Sequence, residues 1–193
     1  MKKEIKEWGI FAAIIAILYF TGLHTEVAAF AQRAVLATGL ITPETELDEE
    51  EKSTIDYDFK IKSMDGKIVE LSQFKDKVIF INLWATWCPP CRAEMPSIQS
   101  LYDKVKENED IVFVMLSLDK AGDERKINKF INKKSFDFPV YLPATEVPDV
   151  LRSSSIPTTF VVAKNGDIVS KKVGMAKYDT RSFENFLIKE MNK

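Results

Sequence analysis

Only two cysteines and one histidine occur among the 193 residues. That scarcity excludes a structural zinc centre, which needs four ligands, because His24 lies far upstream of Cys88 and Cys91. Excess basic charge is missing too. The net charge is −2 with no basic stripe, so nucleic acid is not an expected partner. Internal repeats and extended low-complexity tracts are absent. The chain also lacks the ~20-residue apolar run that a bilayer usually asks for. Its charge-free apolar stretch from Trp8 to Leu23 is 16 residues long. What is present, 46% hydrophobic and 29% charged residues, suffices for one well-built core.

The two cysteines stand in Trp87-Cys88-Pro89-Pro90-Cys91, directly after the apolar run Val78-Ile-Phe-Ile-Asn-Leu-Trp84. A Cys-x-x-Cys pair at a strand-to-helix junction is the layout of a dithiol/disulfide redox centre. Two intervening residues at a helix start let the sulfurs meet in a small ring and leave the first one exposed. The macrodipole and free backbone N–H groups favour a thiolate there. Cys88 is the candidate nucleophile, and Cys91 the resolving thiol that closes the disulfide and releases a partner. A purely structural bridge is the bland alternative, but so short a loop constrains the unfolded chain little. Pro89 and Pro90 suit the first turn of a helix. Neither carries an N–H, so the Cys91 N–H is the nearby donor left to stabilise Cys88.

The segment Phe80-Ile-Asn-Leu-Trp-Ala-Thr-Trp-Cys-Pro-Pro-Cys-Arg-Ala-Glu-Met-Pro96 resembles the active-site segment of thioredoxin-fold proteins of the TlpA/ResA type. These are membrane-anchored thiol–disulfide oxidoreductases that act outside the bacterial cytoplasm. The resemblance covers residues 55–193. It implies an α/β thioredoxin fold, a mixed central sheet flanked by helices, with an N-terminal hairpin and a central strand–helix insert. Phe59 to Ser72 reads as that hairpin, turning at Asp65-Gly66, and Lys120 to Ser154 is long enough for the insert. Ser155-Ile156-Pro157-Thr158 resembles the cis-proline loop that faces the cysteines. Trp87, Ile156 and Pro157 are accordingly expected to meet the incoming chain.

Two positions depart from thioredoxin itself. Asn82 stands where ordinary thioredoxins carry a buried acid, so that relay is expected to be absent. Glu94, three residues after Cys91 and one helical turn on, matches the acidic residue that TlpA/ResA-type proteins place near the site. An acid in the opening turns of a helix also simply complements its dipole.

The N-terminus reads as an address. Lys2, Lys3 and Lys6 precede the apolar stretch, which places the N-terminus in the cytoplasm and the remainder outside. An uncleaved single-pass anchor is preferred to a signal peptide cleaved at Ala29-Phe30-Ala31. Val27, Phe30, Ala31, Ala34 and Thr38 fall at helical spacing, giving a segment that lies on the membrane surface or extends the anchor. His24 is expected as an interfacial polar residue there. Six acids between Glu44 and Glu51 mark a solvated spacer. The organisation is thus 1–42 for tip, anchor and amphipathic segment, 43–54 for the acidic linker, and 55–193 for the catalytic domain.

Downstream, the expected elements are a helix to about Asn108, a strand Ile111–Leu118, a helix Asp123–Lys134 and a strand Phe138–Leu142. A helical turn follows at Pro148–Ser153, then strands Thr159–Ala163 and Ile168–Val173 across Asn165-Gly166, and a helix Thr180–Met191. The expectation is a protein-disulfide reductase on the periplasmic side of the bacterial inner membrane. It uses no cofactor beyond the Cys88–Cys91 dithiol, and binds no metal. Its partners are protein disulfides, with apocytochrome c implied by the resemblance through a role in cytochrome c biogenesis, and a membrane thiol carrier as electron donor. An oxidant or isomerase of secreted proteins and a redox-inert binding module are the alternatives. A peroxiredoxin is disfavoured because no separate peroxidatic cysteine exists. A copper chaperone of related fold is disfavoured because residues 55–193 hold no histidine.

Overall fold

The computed structural model describes residues 23–43 and 53–193, together with Glu4, Glu7, Trp8, Ile10, Ala16, Tyr19 and Thr21. Most of the apolar stretch 8–23 and the acids 44–51 lie outside the described residues, as does the His24 side chain. Among the described residues no helix is long and apolar enough to cross a membrane.

The centre of the domain is β3 (Val78–Trp84), buried at every position. Apart from Asn82 its residues are apolar, which reflects cover on both faces. Val78, Phe80 and Trp84 join one core, and Ile79, Ile81 and Leu83 the other, as the two-residue period of a strand requires. β3 pairs in parallel with β4 (Ile111–Ser117) and antiparallel with β6 (Thr158–Val162). β5 (Val140–Pro143) extends the parallel part beside β4. The hairpin of β1 (Lys60–Ser63) and β2 (Ile68–Glu70) adds antiparallel strands beyond β5, and β7 (Ile168–Val173) closes the other edge. The sheet order is β2-β1-β5-β4-β3-β6-β7. This is the mixed sheet of the thioredoxin fold, with the expected N-terminal hairpin.

Helix α2 (Pro89–Val105) follows β3 immediately, and buries Cys91, Met95, Ile98 and Leu101 in the first core. α3 (Glu124–Lys134) adds Ile127 and Ile131 to it, and leads into β5, so the two form the expected strand–helix insert. α4 (Arg181–Met191) contributes Phe183, Phe186 and Leu187 to the same core. Its start was legible in Thr180, whose hydroxyl caps the helix by accepting from the Phe183 N–H at 3.3 Å. The β6–β7 turn rests on Gly166 at φ +90°, where a Cβ would also meet the Tyr57 ring at 3.1 Å.

The boundaries differ in informative places. Phe138 precedes β5 and stacks on Phe136 with ring centroids 5.2 Å apart. The stretch 148–153 forms only a 3-10 turn, Asp149–Leu151. The domain also starts earlier than the charge pattern suggests, since the Ile168 N–H donates to the Ser53 carbonyl at 2.7 Å and Thr54 bridges to Asp167.

The first helix is α1 (Leu23–Ala37). The stripe of Val27, Phe30, Ala31, Ala34 and Thr38 is not its packed face: all five are exposed. The packed side carries Ala29 and Leu36, buried against Ala93 of α2. Helical period alone cannot choose between two faces; the ion pairs of Glu26, described next, do so.

Candidate active site

Cys88 is the N-cap of α2, in extended conformation, with Pro89 and Pro90 at the first two helical positions. Proline fits there because those N–H groups have no helical partner anyway. Cys88 and Cys91 are joined as a disulfide with Cα atoms 5.3 Å apart. The Cys91 N–H donates to Cys88 Sγ at 3.2 Å, the one donor the proline pair leaves. The expectation of an exposed nucleophile needs correction, because Cys88 is only 3% accessible. The Ile156 carbonyl oxygen lies 3.7 Å from its sulfur, and the Ile156 side chain packs against the same core. The Ile156–Pro157 bond is cis, as the loop pattern implied. Trp87 is the exposed member of the motif, at 56% accessible. Trp87, Ile156 and Pro157 thus come together with the disulfide.

The loop entering α2 is held from the side by a residue that the sequence reading missed. Asp119, just beyond β4, accepts from the Thr86 N–H at 2.8 Å and the Thr86 hydroxyl at 2.5 Å. The Ser117 hydroxyl donates to it at 2.8 Å, and Lys126 stands 3.5 Å away. Its signal was faint: one acid after an apolar strand.

Glu94 is fully buried, so the reading that it merely complements the helix dipole from the surface is excluded. Its Oε1 accepts from Asn82 Nδ2 at 2.8 Å and its Oε2 from the Ala176 N–H at 3.1 Å. Burial pushes its carboxyl up to about 8, and those two donors only partly offset the rise. Asn82 Nδ2 also donates to Thr159 Oγ1 at 2.8 Å, and the Tyr178 hydroxyl donates to the same oxygen at 2.6 Å. Burial, then the neighbouring Glu94, raises the Tyr178 phenol well above its ordinary value. Asn82 Oδ1 is buried without a hydrogen-bond partner among the described residues. Asn82 supplies no acid, as expected, and the buried acid stands on α2 instead, hydrogen-bonded to the Asn82 amide on β3. Thr159 and Tyr178 escaped the sequence reading because they are remote in the chain and look like ordinary core positions.

Arg92, next after Cys91, donates to Thr25 Oγ1 at 2.6 Å and to the Glu26 carboxylate, and lies 5.0 Å over the Phe130 ring. Glu26 also pairs with Lys134 at 3.1 Å. These contacts fix the packed face of α1. Among the described residues no group of acids, cysteines or histidines could hold a metal ion.

Sheet order, cis-proline loop and N-capping disulfide define a thioredoxin-like protein. A family model described as the AhpC/TSA family matches residues 56–171, and the chain belongs to that family. Its relatives are narrower in kind. The thiol-disulfide oxidoreductase ResA of Oceanobacillus iheyensis is 39% identical over 116 residues, which cover 58% of this chain and 59% of that protein. The thiol-disulfide oxidoreductase ResA of Bacillus cereus (strain ATCC 10987) is 30% identical over 142 residues, 72% of this chain and 80% of that protein. Among solved structures, a thiol:disulfide interchange protein of the thioredoxin family from Chlorobium tepidum shares the fold. It has a TM-score of 0.55 and 23% identity, over 78% of this chain and 97% of that one.

Proposed function

We propose that the protein is a membrane-anchored, extracytoplasmic thiol–disulfide oxidoreductase that reduces protein disulfides, apocytochrome c among them. The observation that carries this reading is the Cys88–Cys91 disulfide at the start of α2, with the Ile156 carbonyl beside Cys88 and a buried carboxyl one turn beyond Cys91. The relatives that carry the ResA name support the same chemistry.

In the reduced protein the Cys88 thiolate attacks one sulfur of a substrate disulfide, forming a mixed disulfide and expelling the first substrate thiolate. Cys91 then gives up its proton and attacks Cys88 Sγ. The second substrate thiolate leaves, and the Cys88–Cys91 disulfide closes. Two electrons and two protons pass to the substrate. A dithiol carrier in the membrane restores the starting state in two steps. Its first thiolate attacks Cys88 Sγ and expels Cys91 as a thiolate. Its second thiol then attacks the carrier sulfur of that mixed disulfide, which releases Cys88 as a thiolate and leaves the carrier oxidised. Glu94, held protonated near neutral pH by its burial, supplies a proton to the Cys91 thiolate and takes it back during resolution. The backbone of Ile156 aligns the incoming chain beside Cys88, and Trp87 offers it an apolar face.

Two measurements test this. Cys91→Ser is expected to trap partners as mixed disulfides through Cys88, and Cys88→Ser to trap almost none; the reverse pattern overturns the assignment. The reduction potential is expected nearer thioredoxin's, about −270 mV, than DsbA's, about −120 mV. A value at the DsbA end assigns the protein to the oxidants instead.

A further inference from the structure

Helix α1 is built inside out for a helix that meets water. Its charged and polar residues Thr25, Glu26, Gln32 and Arg33 are half-buried toward the domain, and Glu26 is tied there to Arg92 and Lys134. The opposite face, with Val27, Phe30, Ala31, Ala34, Val35 and Ala37, is exposed and carries no charge. Phe30 alone is 72% accessible. Elsewhere the surface is ordinary: of the eleven exposed large apolar side chains among the described residues, seven fall between Trp8 and Leu40. A helix that turns its ions inward and its apolar stripe outward is matched to a medium other than water.

We propose that this stripe is seated in the interfacial layer of a lipid bilayer. α1 then lies flat on the membrane and holds the Cys88–Cys91 end of α2 at the membrane plane. Lipid is the occupant because α1 continues directly from the charge-free stretch Trp8–Leu23, whose own Trp8, Ile10 and Tyr19 are also exposed. The consequence for chemistry follows from Arg92. It joins Thr25 and Glu26 near the start of α1 to the residue after Cys91, so the disulfide stands over the end of the helix nearest the anchor. A dithiol carrier embedded in the bilayer would meet Cys88 without the domain having to turn over. The inference rests on the membrane-anchored reading above, and goes beyond it in fixing which face lies down.

The test uses the full chain in phosphatidylcholine–phosphatidylglycerol vesicles, with Cys88 and Cys91 left in their disulfide. Single cysteines placed by Val27→Cys, Phe30→Cys and Val35→Cys carry a nitroxide label, and Asn185→Cys on α4 serves as the aqueous reference. Collision with dissolved oxygen relative to a water-soluble nickel chelate is expected to be several-fold higher at the three α1 positions than at Asn185. If the protein floats with the vesicles but the α1 labels match Asn185, the seated helix is overturned while the anchor stands. If the protein does not float at all, anchor and seated helix both fall, and trapping through Cys88 still decides the redox chemistry separately. Dipolar broadening with both reagents excluded overturns the lipid contact and assigns the stripe to a second copy of the chain.

Discussion

Glu94 gives the oxidised domain a pH dependence near neutrality. Residues 55–193 contain no histidine, so few side chains there titrate between the carboxylates and the high range. A carboxyl moved from 4.5 to about 8 binds a proton in the folded state that the unfolded chain has already lost. Between those two values stability therefore falls as pH rises, by on the order of 3–4 kcal/mol from pH 5 to pH 8. Glu94→Gln removes the titration and keeps the volume. Both Glu94 oxygens accept from N–H groups, so the new amide nitrogen faces one of those donors and lowers stability by a similar amount at every pH. The variant is expected to unfold in urea with nearly equal stability at pH 5 and pH 8, and its pH–rate profile for thiol–disulfide exchange is expected to shift. Parallel losses in both proteins would place the titrating group elsewhere.

At the scale of elements, the redox motif is a helix start held on two sides. α2 presents Cys88 as its cap, and the loop before it is clamped to the end of β4 through Thr86 and Asp119. Removing the Asp119 carboxylate leaves the buried Thr86 N–H without a partner. An unsatisfied buried donor costs about 1–3 kcal/mol. Asp119→Ala is expected to lose at least that much in urea unfolding, and to slow reduction of a model protein disulfide because Trp87 and Cys88 lose their support. A loss below about 0.5 kcal/mol, the size of an ordinary surface substitution, would show that the clamp does not hold the loop.

For the whole molecule, the joint between α1 and the domain is electrostatic at its core. Glu26 faces Arg92 and Lys134, and the apolar contribution is small: Ala29 and Leu36 against Ala93, with Ile41 and Met175 packed beside them. Glu26→Ala leaves Arg92 of α2 and Lys134 of α3 without the acid that ties both to α1. Amide hydrogens of α1 are then expected to exchange on the order of tenfold faster, the equivalent of about 1.4 kcal/mol, while those of α2 in the core stay protected. Equal exchange in wild type and variant would show that the small apolar contact suffices by itself.

The chemistry was legible locally because its grammar is local. Cys-x-x-Cys with prolines between, an apolar run before it, Asn165-Gly166 between two strands and Thr180 before an amphipathic run each act over a few residues. Those signals carried the redox centre, the fold class and most element positions. Tertiary structure decided the rest. Asn82, Glu94, Thr159 and Tyr178 are separated by up to 96 positions in the chain, and only the β3–β6 pairing and the packing of α2 gather them around one carboxyl. The same holds for the burial of Cys88, which depends on a loop 68 residues away. It holds also for α1, whose period allowed either face to turn inward. The partner that settled the choice, Arg92, lies 66 residues from Glu26. Periodicity defines a stripe, but burial and charge pairing belong to whatever the fold brings against it.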